Sequence, residues 1–323
     1  MTEQQYIRSL LEGLTSPEPT CHIGATALED AIFARVMSSK FRKLRADDAA
    51  VRITRSAIAH AMAHGAPIKV GLLFGGNKLW RFDEAPEVDW AELFSLVYYL
   101  RWMKSIAGVW GPGATFEYCS QDISVESLNN VSREESERYT VGFRRMLEWI
   151  EPYLPPRVTV TYRRLADEYA DRSEYEAELA TAKELVLANH AGELPALSEA
   201  QKLATELNVR LRPGQAEDPQ WREKVELEHL AIFETRSLQP YLHDTTLIPT
   251  CPSRMDAVII TGSTRKSIAK FWAAVGALER TGGEYLDVVL TPRQLASARF
   301  EWHDVHVEGL HGRNFSRIRV VES

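Results

Sequence analysis

Four short stretches of this 323-residue chain carry residue types able to do chemistry. In the first, Gly75 and Gly76 end an apolar run and Lys78, Trp80 and Arg81 follow. Glycines let a backbone approach a ligand, the two cations suit an anionic group, and Trp80 can wall a pocket. A solvated turn would have the same composition. The second stretch, 259–272, reads as a strand, a Gly-Ser-Thr turn and the start of a helix. Free N–H groups at such a helix start, with Ser263, Arg265 and Lys266 beside them, suit a phosphate or carboxylate. Capping of the helix by Ser263 or Thr264 is the alternative. It is not a GxxxxGK[ST] loop, because Ile260 and Arg265 stand where glycines are required. The third stretch holds Glu301, Trp302, His303, His306 and His311. On a strand Glu301 and His303 share a face while His306 lies opposite, so no clean metal triad is encoded. His303 suits acid/base work, since imidazole titrates near neutrality, and Trp302 beside it can line a pocket. The fourth, 116–130, places Glu117, Cys119, Asp122 and Asn129 on and after a strand. Cys119 has no thiolate-stabilising base in view, so it reads as a small buried hydrophobe.

Positioning these groups requires a scaffold, and the periodicity supplies one. Thr26 to Glu29 fits a capping box opening a helix toward Leu44, and Asp47 or Asp48 caps another that Gly65 and Pro67 stop near His64. Residues 67–74 read as a buried strand and 88–106 as a helix covered on most of its circumference. A second strand follows at 111–119, then a helix over 132–150 with Ser132 as its cap, then a third strand at 157–162. Strand-helix-strand alternation predicts a parallel sheet whose ligands bind beyond the carboxyl ends of the strands. The charge-rich stretch 163–240 reads as a helical insertion. Strands at 245–249 and 256–262, a helix over 264–280, another strand at 285–291 and a terminal hairpin over 299–322 complete the chain. The expected architecture is α/β: a Rossmann-like, doubly wound, mainly parallel sheet with a helical insertion and a C-terminal β-hairpin. Residues 1–66 read as a helical region packed on the core, and 67–323 as an α/β catalytic domain.

Composition narrows the function classes. Hydrophobic residues make up 45% and charged residues 26%, ordinary for a globular enzyme. A net charge of -7 argues against a nucleic-acid partner. The three cysteines, Cys21, Cys119 and Cys251, show no CxxC spacing, so neither disulfides nor a zinc site is expected. The N-terminal helix lacks a signal-peptide core, and no run approaches the roughly 20 apolar residues of a membrane span. A cytoplasmic protein without a membrane partner is expected.

The order of motifs resembles a known family. "GAPIKVGLLF", a lysine-bearing loop, "EVDWAELFSLVYYL", "SIAGVWGPGATFEYCSQD" and "SLNNVSREESERYTVGFRRML" follow one another as in the isocyanide synthases of pyoverdine-chromophore and dityrosine biosynthesis. Trp302-His303 is similar to a Trp-His pair near the end of those proteins. The loop reads "FGGNKLW" where the family has Phe-Pro-x-Lys-Ser. The resemblance spans about the first half of the chain and a short piece near its end.

The resemblance implies a doubly wound fold with neither metal nor redox cofactor, and places Lys78, Asp122 and His303 in catalytic positions. It implies an enzyme that joins the α-amine of an amino acid to the ketone of ribulose 5-phosphate and forms an isonitrile. That chemistry needs cations for phosphate and carboxylate, an acid/base group and a dry pocket. Arg81, Arg265 and Lys266 suit the first need, Asp122 or His303 the second. A diverged reaction on an amino-acid nitrogen fits equally. Other readings are a phosphate- or nucleotide-binding transferase using the 262–267 turn, a non-catalytic ligand-binding protein, and a metalloenzyme using the C-terminal histidines.

Overall fold

The computed structural model describes residues 1–16, 25–75, 78, 81–82, 87–194, 210, 214–215, 218–251, 257–310 and 313–322. Helices α1 (Glu3–Thr15), α2 (Ala25–Val36) and α3 (Asp48–His64) precede the first strand. Asp47 caps α3 by accepting the Ala50 amide at 2.6 Å, and Gly65 closes it at φ 58°, a conformation open to glycine at no steric cost. The helix expected to run toward Leu44 stops at Val36. Tertiary contacts take over there. Phe41 stacks on Trp102 at 5.8 Å, and the Lys43 amide donates to the Ile260 carbonyl at 2.8 Å.

The alternating segment then forms β1 (Ile68–Phe74), α4 (Trp90–Ala107), β2 (Ala114–Ser120), α5 (Asp122–Leu128), α6 (Arg133–Ile150) and β3 (Val158–Arg164). Side chains that can accept from free amide groups start the long helices: Asp89 caps α4 and Ser132 caps α6, each answered by a glutamate three residues on. The insertion contributes α7 (Arg172–Asn189), α8 (Pro219–Ala231) and α9 (Gln239–His243). The chain returns to the sheet with β4 (Leu247–Cys251) and a two-residue β5 (Ile259–Ile260). All five strands are parallel, in the order β3-β2-β1-β4-β5. Strand period two divides the burial. Val70, Leu72 and Phe74 join the core formed with α4, whereas Leu73 and Cys119 join the core formed with the insertion. The winding reverses between β1 and β4, the place where open α/β sheets bind ligands.

A second sheet follows: β6 (Val275–Thr281), β7 (Glu284–Leu290), helix α10 (Pro292–Ser297), β8 (Phe300–Asp304) and β9 (Arg317–Glu322), ordered β7-β6-β9-β8. The antiparallel pair β8–β9 is the expected terminal hairpin. The helix expected over 264–280 does not form. Its first part folds back on itself, and its last part is β6, paired on both sides. The physical reason lies elsewhere in the chain. Gly276 meets the start of α4 so closely that a Cβ there would lie 2.4 Å from the Ala91 nitrogen, and Phe271 and Trp272 turn inward onto Phe74. Among the described residues no helix is long and apolar enough to cross a membrane.

Candidate functional site

Lys78 is fully buried beyond the end of β1. Its Nζ donates to Asp89 Oδ1 at 2.8 Å and to Glu92 Oε2 at 2.6 Å. Both carboxylates belong to the capping box of α4: Asp89 also accepts the Ala91 amide, and Glu92 accepts the Asp89 amide, each at 2.8 Å. The Tyr139 hydroxyl, from α6, donates to the other Glu92 oxygen at 2.9 Å. One ammonium thus faces two carboxylates in a dry setting, and the charges do not cancel. Burial, together with the Asp89 carboxylate, outweighs the attraction of Lys78 and pushes the Glu92 carboxyl up to about 7. Glu92 is therefore poised to hold or release a proton near neutral pH. Burial beside Glu92 pushes the Tyr139 phenol far up, so it stays a donor. Asp89 Oδ2 is buried without a hydrogen-bond partner among the described residues.

A second group lies beyond the ends of β1 and β4. Lys270 Nζ stands 5.9 Å from the centre of the Trp272 ring, which in turn lies 6.0 Å from Phe74. Burial lowers the Lys270 pKa, and the nearby charge of Arg81 lowers it further. Arg81 is itself partly buried, its amide donating to the Lys78 carbonyl at 3.1 Å. From the insertion, His229 on α8 has its pKa pushed down by burial and by the charge of Lys270.

The remaining expected site residues occupy other places. Asp122, at the start of α5, accepts the Ile123 and Ala166 amides at 2.9 and 3.1 Å and Arg164 Nε at 2.6 Å. Asn129 is buried at the end of that helix. Glu117 points to the insertion side, where it holds Lys69 at 2.9 Å and the Tyr241 hydroxyl at 2.7 Å. Burial raises the Glu117 carboxyl, but Tyr241 and Lys69 outweigh it and hold it below its ordinary value. Burial pushes the Cys119 thiol up to about 11, so it is not a thiolate at neutral pH.

On the second sheet, His303 Nδ1 meets Glu3 of α1 at 2.9 Å, and the Tyr285 hydroxyl donates to that same carboxylate at 2.6 Å. His303 shares no partner with Lys78. Trp302 packs against Arg317 and Arg319, whose guanidinium carbons lie 4.0 and 4.2 Å from its ring centre. With no helix after it, the 262–267 turn has no free helix start to offer an anion. Ser263 donates to the Ala269 carbonyl at 2.5 Å, the Arg265 carbonyl accepts from Lys43, and Lys266 pairs with Glu279. Trp80 and His311 lie outside the described residues. His306 is exposed, and among the described residues no group of three His, Cys, Asp or Glu side chains is arranged to hold a metal ion.

The sequence reading thus singled out Lys78 and Arg81 but passed over Asp89, Glu92, Tyr139, His229 and Lys270. A signal for one of them existed. Glu92 sits alone in the apolar stretch Trp90–Leu100, and a helix covered all round must bury its one acidic residue.

No family model matches the chain, and no curated protein matches it in sequence. Among solved structures, that of the PvcA protein from Pseudomonas aeruginosa is similar in fold. The likeness covers 90% of this chain and 99% of PvcA, with a TM-score of 0.56 and 16% identity.

Proposed function

We propose that the protein is a biosynthetic enzyme of secondary metabolism that modifies the nitrogen of an amino acid, of the isocyanide synthase type. The fold shared with PvcA and the series of family-like motifs from β1 to α6 support this class. The observation that carries the chemistry is Glu92, a buried carboxyl pushed up to about 7 beside Lys78 at the carboxyl edge of the sheet. Joining an amine to the ketone of a sugar phosphate requires removing a proton from the ammonium and giving one to the departing hydroxyl. A group half-protonated at neutral pH can serve in both directions, whereas an ordinary carboxylate serves only the first. Lys78 and Tyr139 hold that carboxyl in one orientation and keep two of its proton-bearing neighbours within hydrogen-bond reach. The loop around Lys78 lacks the family's proline and serine, so a diverged reaction on the same nitrogen belongs to the proposal.

The test uses the full chain, amino acids labelled with ¹⁵N at the α-amine, and ribulose 5-phosphate, with isonitrile and other labelled products read by mass spectrometry. Labelled product is expected, falling about 100-fold in Glu92→Gln, the scale of one lost acid/base group. No labelled product with any amino acid, with ribulose 5-phosphate or with other ketose phosphates, would defeat the proposal.

A further inference from the structure

The second sheet has two outer strands, β7 and β8, and the chain treats them differently. An outer strand turns every other amide and carbonyl away from its neighbour, and these invite another strand unless something covers them. On β7 side chains do so. The Asp287 amide donates to the Tyr6 hydroxyl at 3.1 Å, and the Val289 amide donates to the Ser267 hydroxyl at 2.9 Å. On β8 the outward residues follow from the register. Val305 lies opposite Ser316 in the continuation of the β8–β9 ladder, and its amide donates to the Ser316 carbonyl at 3.0 Å. Hydrogen-bonded pairs alternate along an antiparallel ladder. His303 and Glu301 therefore also turn their amides to β9, while Phe300, Trp302 and Asp304 turn theirs outward. Those outward backbone groups have no hydrogen-bond partner among the described residues. The strand also carries no lysine or proline, and its pairing with β9 runs without a bulge, so the usual devices that blunt an edge are missing.

We propose that β8 pairs with β8 of a second copy of this chain, antiparallel about a twofold axis at Trp302, joining the two four-stranded sheets into one. The strand suits this occupant because it is complementary to itself. With the axis at Trp302, every outward residue meets an outward residue of the second copy: Trp302 meets Trp302, and Phe300 and Asp304 meet each other twice. Each of these pairs exchanges two hydrogen bonds. The pairs between them are of the close, non-hydrogen-bonded kind, and in both Glu301 faces His303 of the second copy. The Glu301 side chain is 85% exposed, and among the described residues its carboxylate reaches only His303 Nε2 of its own strand, at 3.7 Å. Charge also fixes the register. Moving the axis by one residue would set Glu301 against Glu301 or His303 against His303. Strands of this length bury well under the roughly 1,200 Å² of a stable interface, and each copy carries a net charge of -7, so the dimer is a dissociable one. The pairing is independent of the reaction at the parallel sheet.

The experiment follows the full chain by analytical ultracentrifugation from micromolar to submillimolar concentration, with hydrogen exchange of the β8 amides at both ends of that range. A monomer that becomes a dimer is expected, with the Phe300, Trp302 and Asp304 amides protected only in the dimer. Asp304→Pro removes an outward donor from each copy and sets a ring in the seam, and should raise the dimer Kd at least about tenfold. It spends no hydrogen bond to β9, so its melting temperature should stay close to that of the wild type. Glu301→Lys, which takes the opposite charge away from His303 in both close pairs, should raise the Kd about fivefold, and it decides the matter if Asp304→Pro does not fold. A chain that stays monomeric throughout, or a dimer that Asp304→Pro leaves intact, would overturn the pairing. Amides of β8 already protected in the monomer would overturn it too, by showing that another part of the same chain covers the edge.

Discussion

Two clusters at the carboxyl edge of the same sheet have the same stoichiometry, one cation and two carboxylates, and opposite characters. Arg164, at the end of β3, holds Asp122 at 2.6 Å and Glu137 at 2.7 Å. Glu137 is 41% exposed, and the second oxygen of Asp122 accepts two backbone amides. Solvent and peptide dipoles therefore satisfy what the guanidinium leaves over. Lys78 holds Asp89 and Glu92 with no exposure on any of the three beyond 2%, and one Asp89 oxygen accepts from no described residue. The surplus negative charge there can be relieved only by a proton, which is why Glu92 titrates near neutrality. Composition alone does not separate a latch from a proton-handling group; dielectric and donor count do.

Substitutions can break or sharpen this contrast. The largest effect is expected from Lys78→Met, which leaves two buried carboxyls without their counter-charge. A loss of about 3–5 kcal/mol in urea unfolding is expected, with amine conversion abolished. Arg164→Met should cost less, about 1–3 kcal/mol, because Asp122 keeps its two backbone donors and Glu137 can turn to water. Its stability should show the same dependence on pH between 5 and 8 as the wild type.

Glu92→Gln sharpens the contrast through that dependence. The folded-state value of Glu92 lies above its unfolded value, so the folded protein binds the extra proton between about 4.5 and 7. The stabilisation this gives is complete below the unfolded value and is lost as pH rises through about 7. Unfolding midpoints of the wild type should fall across this window with a slope of up to about 1.4 kcal/mol per pH unit that Glu92→Gln lacks. An identical slope in the variant would show that Glu92 is not the titrating group. The smallest effect is expected at His303→Ala. The ring is 29% exposed and its contacts with Glu3 and Glu301 are replaceable by water, so stability should change by less than about 1 kcal/mol. Amine conversion should stay within about twofold, and a loss near that of Lys78→Met would return His303 to the site.

Much of the scaffold was legible because its signals are local. A side-chain oxygen three residues ahead of a free amide marks a helix start, as at Asp47 and Ser132. Short apolar runs bounded by glycine mark β1 and β2. The segment after Gly262 misled the same reasoning, since its spacing suits a helix and the backbone instead pairs with strands near the end of the chain. The candidate site was legible in one residue. Lys78 stands out by its place after β1, but the carboxyls that tune it hide inside an apparent helix cap, and the hydroxyl that orients Glu92 comes from Tyr139, 47 positions away.

By itself the sequence determined the alternation of strands and helices, their caps and the placing of a lysine at the carboxyl edge of a parallel sheet. Those properties follow from hydrogen bonds and side-chain periods within a few residues of one another. Only the tertiary structure decided that Lys78 is dry and outnumbered by carboxylates, and that His303 lies against Glu3 on the second sheet. Charge state depends on solvent exclusion and on neighbours brought in from distant segments, and neither is a property of any short stretch of chain.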